Sequence, residues 1–341
     1  MQHPKVAMKA LFITAPQKWE ILEVPTPEIT QDEVLLRVGF VGLCGTDLEL
    51  LNGKHPYFST NNASFPMQIG HEMSGTIVQS MNTALPVGTQ VIMDPIVGCG
   101  NCEGCKNRAT WCQERIEIGV RRGGPGALAE FVKVPVGNVY PIPHGLSLRD
   151  ATLTEPAVTA INGVSRIQAT GGRALVVGDG TIGVIAAQVL AHRGWKVQIA
   201  VLNEVSAERV RSLGFEPVMP HQMEGISVNV VVEAAGTNRS IQSTFKAVSA
   251  GGEVVLLGVP DKPMESFDIA DLVLREISIY GVLNGPGLYN EALELIAKGV
   301  IQSSKIIDQV FDFAQFGDAI KLLANPDRKL PKILIAVAHS A

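Results

Sequence analysis

The segment ALVVGDGTIGVIAAQVLAHRG, residues 174–194, restricts the fold of this chain more than any other segment. An apolar run of strand type leads into glycines spaced as G-x-G-x-x-G, and an apolar stretch of helix type follows them. In that context the first glycine allows a tight turn, the second lets backbone approach a pyrophosphate, and the third lets the helix pack on the strand. The alternative is a glycine-rich turn without a ligand. The segment predicts a dinucleotide-binding loop whose contact residues are Gly178, Gly180, Thr181, Ile182 and Gly183.

The next strand candidate, KVQIAVL, ends where a fold of this kind that prefers NAD carries a carboxylate, about 20 residues beyond the glycines. Leu202 occupies that position, and Asn203 and Glu204 follow it. Glu204 either reaches the ribose from two residues further along or is simply solvated. The range 203–207 contains no arginine to bind a 2′-phosphate, and we expect Arg209 on a helix surface. We therefore expect Leu202 and Asn203 beside the cofactor, and NAD over NADP.

The remaining sequence divides into two patterns, and a length of 341 residues favours two domains. Before about residue 150, segments such as EVLLRVGFVG, MSGTIVQS, VGTQVIMDP and ALAEFVKVP predict an all-β barrel or sandwich. From about residue 170, the strand candidates KVQIAV, VNVVVEAAG, EVVLLG and SIYGVL alternate with helix candidates such as SAERVRSLG, predicted to begin at Ser206. That alternation predicts an α/β unit with a doubly wound parallel sheet. Near the end, FGDAIKLLA predicts a helix and KILIAV a last strand.

Charge and hydropathy argue against several classes of partner. The net charge of −5 provides no basic footprint for nucleic acid. The first residues, MQHPKVAMKALFITAP, lack the apolar core of a signal peptide. No run approaches the roughly 20 apolar residues of a membrane span. We therefore expect a cytoplasmic protein with reduced thiols.

Four of the five cysteines lie in GCGNCEGCKNRATWC, with the spacing C-x2-C-x2-C-x6-C. Four thiolates so close together can enclose one tetrahedral zinc ion, which makes a closed structural site. An iron–sulfur cluster is the competing interpretation, but the bacterial ferredoxin run spaces its last cysteine by about three residues and follows it with proline. Here the gap is six residues and Gln113 follows. The expected structural zinc ligands are Cys99, Cys102, Cys105 and Cys112.

The fifth cysteine, Cys44, lies alone in VGLCGTDLELLNGK. A lone cysteine is most often an inert buried side chain. Here the motif GHE follows with His71 and Glu72, and EPAVTA supplies Glu155. Thiolate, imidazole and carboxylate are suitable zinc ligands, and a catalytic zinc takes about three protein ligands and leaves a position for water or substrate. The set predicts a second, catalytic zinc.

Together these motifs resemble the zinc-dependent medium-chain dehydrogenase/reductase family, which includes alcohol, sorbitol, threonine and glucose dehydrogenases. The resemblance covers essentially the whole chain and rests on five motifs in the family's order: CGTD at 44–47, GHE at 70–72, the cysteine lobe at 99–112, EPAVTA at 155–160 and GDGTIG at 178–183. It implies a discontinuous β-rich, GroES-like catalytic domain and a Rossmann domain, with the active-site cleft between them. We expect the catalytic domain at residues 1–155 and 298–341, and the Rossmann domain at 156–297.

The resemblance also implies a ligand set for the catalytic zinc. Cys44 and His71 match the family's ligands, and Glu72 matches a carboxylate that binds the zinc or stands directly behind it. Glu155 falls where alcohol dehydrogenases have a second cysteine and where the sorbitol and glucose branches use a glutamate. Asp47 matches an acid that orients the ligand histidine.

Further residues match the parts of the family's site that handle substrate and nicotinamide. Thr46 matches the hydroxyl that takes the substrate's proton, and Thr159 is similar to a residue beside the nicotinamide. Glu49 stands where the family often has the histidine that ends the proton relay; it is similar to the glucose branch or is a plain surface acid. The final gap in the cysteine lobe is six residues where the family usually has seven, and Leu202 replaces the usual marker of NAD preference.

Four other features have two interpretations each. His55 could touch substrate but is expected to be a surface histidine. Arg121 and Arg122 could meet an anionic substrate, although an ordinary solvated loop is the expected role. Gly258 and the run Gly281, Val282 and Leu283 are either nicotinamide neighbours or simply strand ends.

The resemblance implies hydride transfer between a secondary alcohol or ketone of a polyol, sugar or sugar acid and NAD(P), with a homodimer or homotetramer that assembles through a strand such as SIYGVL. An amino-alcohol or simple alcohol dehydrogenase is the alternative within the same chemistry. From a different class, the chain could be a non-catalytic dinucleotide-binding protein. The zinc-ligand set argues against that alternative and against a zinc-free quinone reductase.

Overall fold

The computed structural model describes residues 7–260, 262–264 and 266–337. The described part before residue 154 is built from strands with four short α-helices between them. The strands are β1 (Ala7–Ala15), β2 (Lys18–Pro25), β3 (Glu33–Leu43), β4 (Met67–Gln68), β5 (Glu72–Ser80), β6 (Gln90–Met93), β7 (Ile96–Val97), β8 (Ile116–Glu117), β9 (Phe131–Pro135) and β10 (Val139–Pro141). The helices are α1 (Gly45–Leu51), α2 (Pro56–Ser59), α3 (Glu103–Asn107) and α4 (Leu148–Ala151).

Strands and helices alternate in the next part of the chain, as the sequence predicts. The strands are β11 (Arg173–Val177), β12 (Lys196–Ala200), β13 (Glu216–Val218), β14 (Val228–Glu233), β15 (Val248–Leu256) and β16 (Ser278–Gly281). The helices are α5 (Thr154–Arg166), α6 (Thr181–His192), α7 (Glu204–Ser212), α8 (Asn238–Ala247), α9 (Ile269–Leu274) and α10 (Tyr289–Ala297). The chain then adds β17 (Ile307–Asp312), α11 (Phe316–Ala324) and β18 (Lys332–Ala336).

The last two strands return to the first part of the chain. Among the described residues, one sheet has seven strands in the order β10-β6-β5-β3-β18-β17, with β9 also paired to β3. β18 runs antiparallel to β3, so Ile333 lies opposite Leu43. The smaller sheets β2-β1-β4 and β7-β8 complete this part. Its core is apolar and includes Leu36, Val41, Ile77 and Ile335.

The second large sheet is parallel throughout its described strands, in the order β13-β12-β11-β14-β15-β16. Alternate side chains point to opposite faces of a strand. In β11, Val176 packs with α5, α6 and α10 on one face, and Leu175 packs with α8 on the other. A sheet buried on both faces reads as continuous apolar runs. The doubly wound α/β fold predicted from the sequence, with a β-rich GroES-like part beside it, is therefore confirmed.

Two local predictions from the sequence were wrong. Helix α7 begins at Glu204, two residues before Ser206, because the Asn203 side chain caps it and accepts the Ser206 backbone N–H at 2.9 Å. Arg209 is buried and does not lie on the helix surface, since its guanidinium bonds to Asp179 and to the backbone oxygen of Arg328. Among the described helices, none combines the length and the apolar character needed to cross a membrane.

Candidate active site

A cleft of about 950 Å³ is lined by residues of both large sheets and their loops. It brings together most of the residues singled out in the sequence. These are Cys44, Thr46, Glu49, His55, His71, Glu72, Glu155, Thr159, Gly178, Gly180, Thr181, Ile182, Leu202, Gly258 and Leu283. Gly183, Asn203 and Asp47 are not among the described residues that line the cleft.

Strand pairing brings Cys44 and His71 together. Gly42 of β3 lies opposite Glu72 of β5, so the residue two positions beyond Gly42 and the one just before Glu72 meet at the same end of the sheet. Cys44 Sγ lies 3.3 Å from His71 Nε2. A sulfur and a nitrogen bound to one tetrahedral zinc would lie about 3.6 Å apart, given typical Zn–S and Zn–N bonds. The donor pair therefore fits a zinc ion.

The charges around His71 also fit a cation. The Cys44 side chain caps α1, and its backbone N–H donates to Asp47 Oδ2 at 2.9 Å. Asp47 Oδ1 lies 3.7 Å from His71 Nδ1, and neither atom has a hydrogen-bond partner among the described residues. Burial opposes protonation of His71, but the Cys44 and Asp47 charges outweigh it and hold the pKa of His71 well above its usual value. The pocket is thus arranged to stabilise positive charge.

Glu72 is held by a lysine that the sequence reasoning missed. Lys332 Nζ donates to the two Glu72 carboxylate oxygens at 2.6 and 2.8 Å and to the backbone oxygen of Leu43 at 3.0 Å. Both side chains are almost fully buried. Gly42 leaves room for the pair, because a Cβ there would lie 2.1 Å from Glu72 Oε2. The available signal was a lysine at the head of the apolar run KILIAV.

Glu155 lies in the first turn of α5 and completes a second group of donors. One ligand atom each from His71, Glu72 and Glu155 lie within 4.8 Å of one another, as do those of Cys44, Asp47 and His71. Burial, only partly offset by His71, raises the pKa of Glu155 to about 7. The Asn284 side-chain amide donates to Glu155 Oε1 at 3.0 Å. Asn284 is a second residue that sequence reasoning missed, because it lies 129 positions from its partner.

The far wall of the cleft carries hydrogen-bonding side chains. The Tyr57 hydroxyl donates to Glu117 Oε1 at 2.9 Å, and Arg115 pairs with the same carboxylate at 2.7 Å. His55 is not the surface residue expected from the sequence: its side chain is 13% exposed, and its Nε2 lies 3.8 Å from Glu49 Oε2. It is held inward because its Nδ1 caps α2 by accepting the Tyr57 backbone N–H.

The two neighbouring arginines are used elsewhere. Arg121 is buried, donates to the backbone oxygens of Arg115 and Gln113, and lies 5.6 Å from the centre of the Tyr57 ring. Arg122 pairs with Glu114. Neither is among the described residues that line the cleft. The structure therefore gives no support to the interpretation that these arginines meet an anionic substrate.

The glycine loop lies along the cofactor end of the cleft. Gly178 has φ of +109°, which a side chain would strain, and a Cβ on Gly183 would lie 2.0 Å from the Gly178 oxygen. A Cβ on Gly180 would meet no atom within 4 Å, so that face is open to a ligand. Leu202 is 80% exposed just after β12, in the position where an NAD-preferring site carries a carboxylate. The loop and the strand end therefore have the arrangement of a dinucleotide site.

The four-cysteine lobe is compact around its sulfur atoms. Ligand atoms of Cys99, Cys102, Cys105 and Cys112 all lie within 4.8 Å of one another. The Cys99 and Cys105 sulfurs are 3.9 Å apart, close to the roughly 3.8 Å between sulfurs on a tetrahedral zinc. Backbone N–H groups of Gly100 and Cys105 point at the sulfurs of Cys105 and Cys102. The shorter final gap of this lobe is therefore compatible with a closed metal site.

Comparisons with known proteins identify the class. The family profile "Alcohol dehydrogenase GroES-like domain" matches residues 30–144, and "Zinc-binding dehydrogenase" matches residues 181–298. A zinc-type alcohol dehydrogenase-like protein of Haemophilus influenzae is 30% identical, over 96% of this chain and 98% of its own. An L-galactonate-5-dehydrogenase of Escherichia coli is also 30% identical (96% and 98%), and a sorbitol dehydrogenase of Bacillus subtilis is 27% identical (96% and 97%).

Solved structures agree in fold. An alcohol dehydrogenase of E. coli CFT073 complexed with NADH superposes with a TM-score of 0.87 at 26% identity, covering 97% of this chain and 99% of its own. A zinc-binding dehydrogenase of Sinorhizobium meliloti bound to NADP gives 0.88 at 26%, covering 97% and 100%. The chain belongs to the zinc-dependent medium-chain dehydrogenase/reductase family. It is a zinc-type dehydrogenase that uses a nicotinamide cofactor, and this sets aside the interpretation as a non-catalytic binding protein.

Proposed function

We propose that this dehydrogenase transfers hydride between a secondary alcohol or ketone of a polyol or sugar and NAD(P), at a zinc ion held by Cys44, His71 and Glu155. The observation that carries the proposal is the 3.3 Å approach of Cys44 Sγ to His71 Nε2 at the end of a cleft that also contains the glycine loop. Glu155 follows in the same cleft and shares His71 as a neighbour.

The chain's own residues have distinct tasks in this proposal. When bound, zinc supplies Lewis-acid polarisation of the substrate oxygen. Thr46 lines the cleft two residues after Cys44 and accepts the substrate's proton, with Glu49 beyond it toward solvent. Asp47 fixes the orientation of His71 from behind. Thr159 and Gly258 border the space for the nicotinamide ring.

Glu72 belongs behind the metal and not on it. Its two carboxylate oxygens both accept from Lys332, and this pairing already compensates the buried charge. Glu155, by contrast, has one oxygen held by Asn284. We therefore propose Glu155 as the zinc-facing glutamate, directly or through water, and Glu72 as support for the strand end next to His71.

The substrate end of the cleft favours a neutral polyhydroxylated molecule. Glu49, His55, Tyr57 and Glu117 all line it, and such groups pair with several hydroxyls at once. The cleft suits a sugar acid less well, because Arg121 and Arg122, which could have paired with its carboxylate, bond to other groups. The similarity to a sorbitol dehydrogenase supports a polyol, whereas the L-galactonate-5-dehydrogenase is named for a sugar acid, so together these relatives support a polyhydroxylated substrate in general. An amino-alcohol is the second candidate, since the acidic Glu49 and Glu117 would also attract an ammonium group, and L-threonine 3-dehydrogenases are among the relatives.

We propose NAD as the preferred cofactor and two zinc ions per chain. Arg209, the first arginine after Leu202, is already neutralised by Asp179 and so offers little to a 2′-phosphate. The second zinc would lie among the four lobe cysteines, whose sulfur spacing suits it.

We also propose the predicted organisation of the molecule, with the catalytic domain at residues 1–155 and 298–341 and the Rossmann domain at 156–297. The pairing of β18 with β3 supports it. A homodimer or homotetramer in the cytoplasm is the proposed state. β16 is the edge of the parallel sheet, and exposed apolar side chains surround it, namely Ile269, Val273, Leu274, Ile279 and Leu283.

A spectrophotometric screen tests this function. Zinc-loaded protein is offered polyols, aldoses, sugar acids, amino-alcohols and simple alcohols, each with NAD and with NADP. The expected result is NADH formation with a neutral polyol or sugar, and its loss in Cys44→Ser. A hit confined to simple alcohols or amino-alcohols would overturn the substrate class, and a hit that survives Cys44→Ser would overturn the site.

A further inference from the structure

A row of polar contacts connects the cysteine lobe to the active site. Arg108 lies in the lobe, between Cys105 and Cys112. Its Nη2 donates to Asn162 Oδ1 at 3.2 Å. The Asn162 side-chain amide donates to the backbone oxygen of Asn284, and the Asn284 side-chain amide donates to Glu155 Oε1 at 3.0 Å. Three contacts therefore separate a residue among the lobe cysteines from a proposed zinc-facing carboxylate.

The middle of this row is buried, and each side-chain nitrogen and oxygen atom in it has a hydrogen-bond partner. Asn162 is 4% exposed and Asn284 is 5% exposed. The remaining side-chain oxygen of Asn284 accepts the Gly285 backbone N–H at 2.6 Å. Buried amides whose nitrogen and oxygen atoms are both bonded resist rotation, because rotation would leave a buried polar atom without a partner. The row is thus a rigid connection.

The lobe end of the row is also constrained. Among the described residues Arg108 forms no ion pair, and the hydrogen bond that its side chain donates goes to Asn162. That bond therefore orients the guanidinium. That bond exists only if the lobe backbone keeps Arg108 in place, and the four surrounding cysteines fix that backbone when they bind metal.

We propose that Arg108, Asn162 and Asn284 are positioning residues that set the orientation of the Glu155 carboxylate, so that an ordered cysteine lobe is required for a correctly aimed ligand at the catalytic zinc. The inference rests on the proposed role of Glu155. Asn284 holds Oε1, which leaves Oε2 for the metal or its water. Residues that hold a ligand in this way tune metal affinity.

The test is a double-mutant cycle read by zinc retention at the catalytic site. Zinc transfer to a chromophoric chelator is followed for wild type, Arg108→Met, Asn284→Ala and Glu155→Ala, with the catalytic phase identified by its absence in Cys44→Ser. We expect Asn284→Ala to weaken retention about tenfold, at the lower end of the range for residues that hold a ligand, and Arg108→Met, two contacts further from Glu155, to weaken it about threefold. Each effect should vanish in the Glu155→Ala background, because the carboxylate that they orient is gone.

Lys106→Met is the matched control. It removes one exposed positive charge from the same lobe, where Lys106 pairs only with Glu103 among the described residues, and it should leave the catalytic phase unchanged. Cobalt-substituted protein gives a second readout, since Arg108→Met should change the visible absorption of the catalytic ion.

Retention losses that persist undiminished in Glu155→Ala, or an Arg108→Met protein identical to wild type, would overturn the inference. Both results leave the proposed function standing as long as Cys44→Ser still abolishes activity. Failure of Cys44→Ser to affect activity or zinc content would instead refute the proposed function itself.

Discussion

The buried pair of Lys332 and Glu72 provides the sharpest stability prediction. Lys332 is 1% exposed and Glu72 is 2% exposed, so neither charge is solvated by bulk water. Lys332→Met would remove all three hydrogen bonds made by the ammonium and leave the buried Glu72 carboxylate without its lysine partner. Removing one member of such a pair costs about 3–5 kcal/mol of unfolding free energy.

The double variant separates the pair energy from general damage. In Glu72→Gln/Lys332→Met neither charge of the pair remains, and replacing a buried pair by neutral groups is often close to neutral. We therefore expect the double variant to lose less than the sum of the two single variants by about 3 kcal/mol. Glu72→Gln alone should also be costly, because it leaves the Lys332 ammonium facing a neutral amide.

Urea denaturation of zinc-loaded protein, followed by circular dichroism and by tryptophan fluorescence, measures these differences. Lys133→Met is a control, because its ion pair with Glu33 is partly exposed and should be worth at most about 1 kcal/mol. A Lys332→Met protein within about 1 kcal/mol of wild type, or additive single effects, would refute the reasoning that Lys332 compensates a buried carboxylate.

Three further predictions concern metal, proton and cofactor. Burial raises the pKa of Glu155 to about 7, so zinc affinity should fall as pH drops through that value because protons compete with the metal. In chelator titrations across neutrality, the zinc affinity of Glu155→Gln should depend less steeply on pH. Thr46→Val should lower kcat about 100-fold by removing a proton acceptor, with NADH binding by fluorescence unchanged, and equal loss of both would contradict its role. Gly183→Ala should abolish NADH binding, because its Cβ would lie 2.0 Å from the Gly178 oxygen, whereas Gly137→Ala, with open space around it, should bind normally.

The fold and much of the candidate site could be predicted from local sequence patterns. The glycine spacing at Gly178, Gly180 and Gly183 needs only a strand before it and a helix after it, and both are visible within 21 residues of sequence. The apolar runs of a parallel sheet and the spacing of the lobe cysteines are local in the same way. For this reason the doubly wound sheet was predictable.

Contacts between distant segments were not predictable. Lys332 and Glu72 are separated by 260 positions, and the sequence around either residue does not indicate its partner. Arg209 was expected on a helix surface, but its guanidinium is buried and donates to the backbone oxygen of Arg328 in the C-terminal segment. His55 turned inward because its ring caps the following helix, which depends on how the loop closes and not on composition.

Metal analysis of Cys44→Ser, combined with its activity, decides whether Cys44 and His71 hold the catalytic metal. We expect about two zinc ions per wild-type chain and about one in Cys44→Ser, with hydride transfer abolished and NADH binding retained. Cys112→Ser, the matched change in the lobe, should lose the other zinc. A Cys44→Ser protein that keeps both zinc ions and oxidises the substrate at the wild-type rate would contradict the claim that Cys44 and His71 hold the catalytic metal.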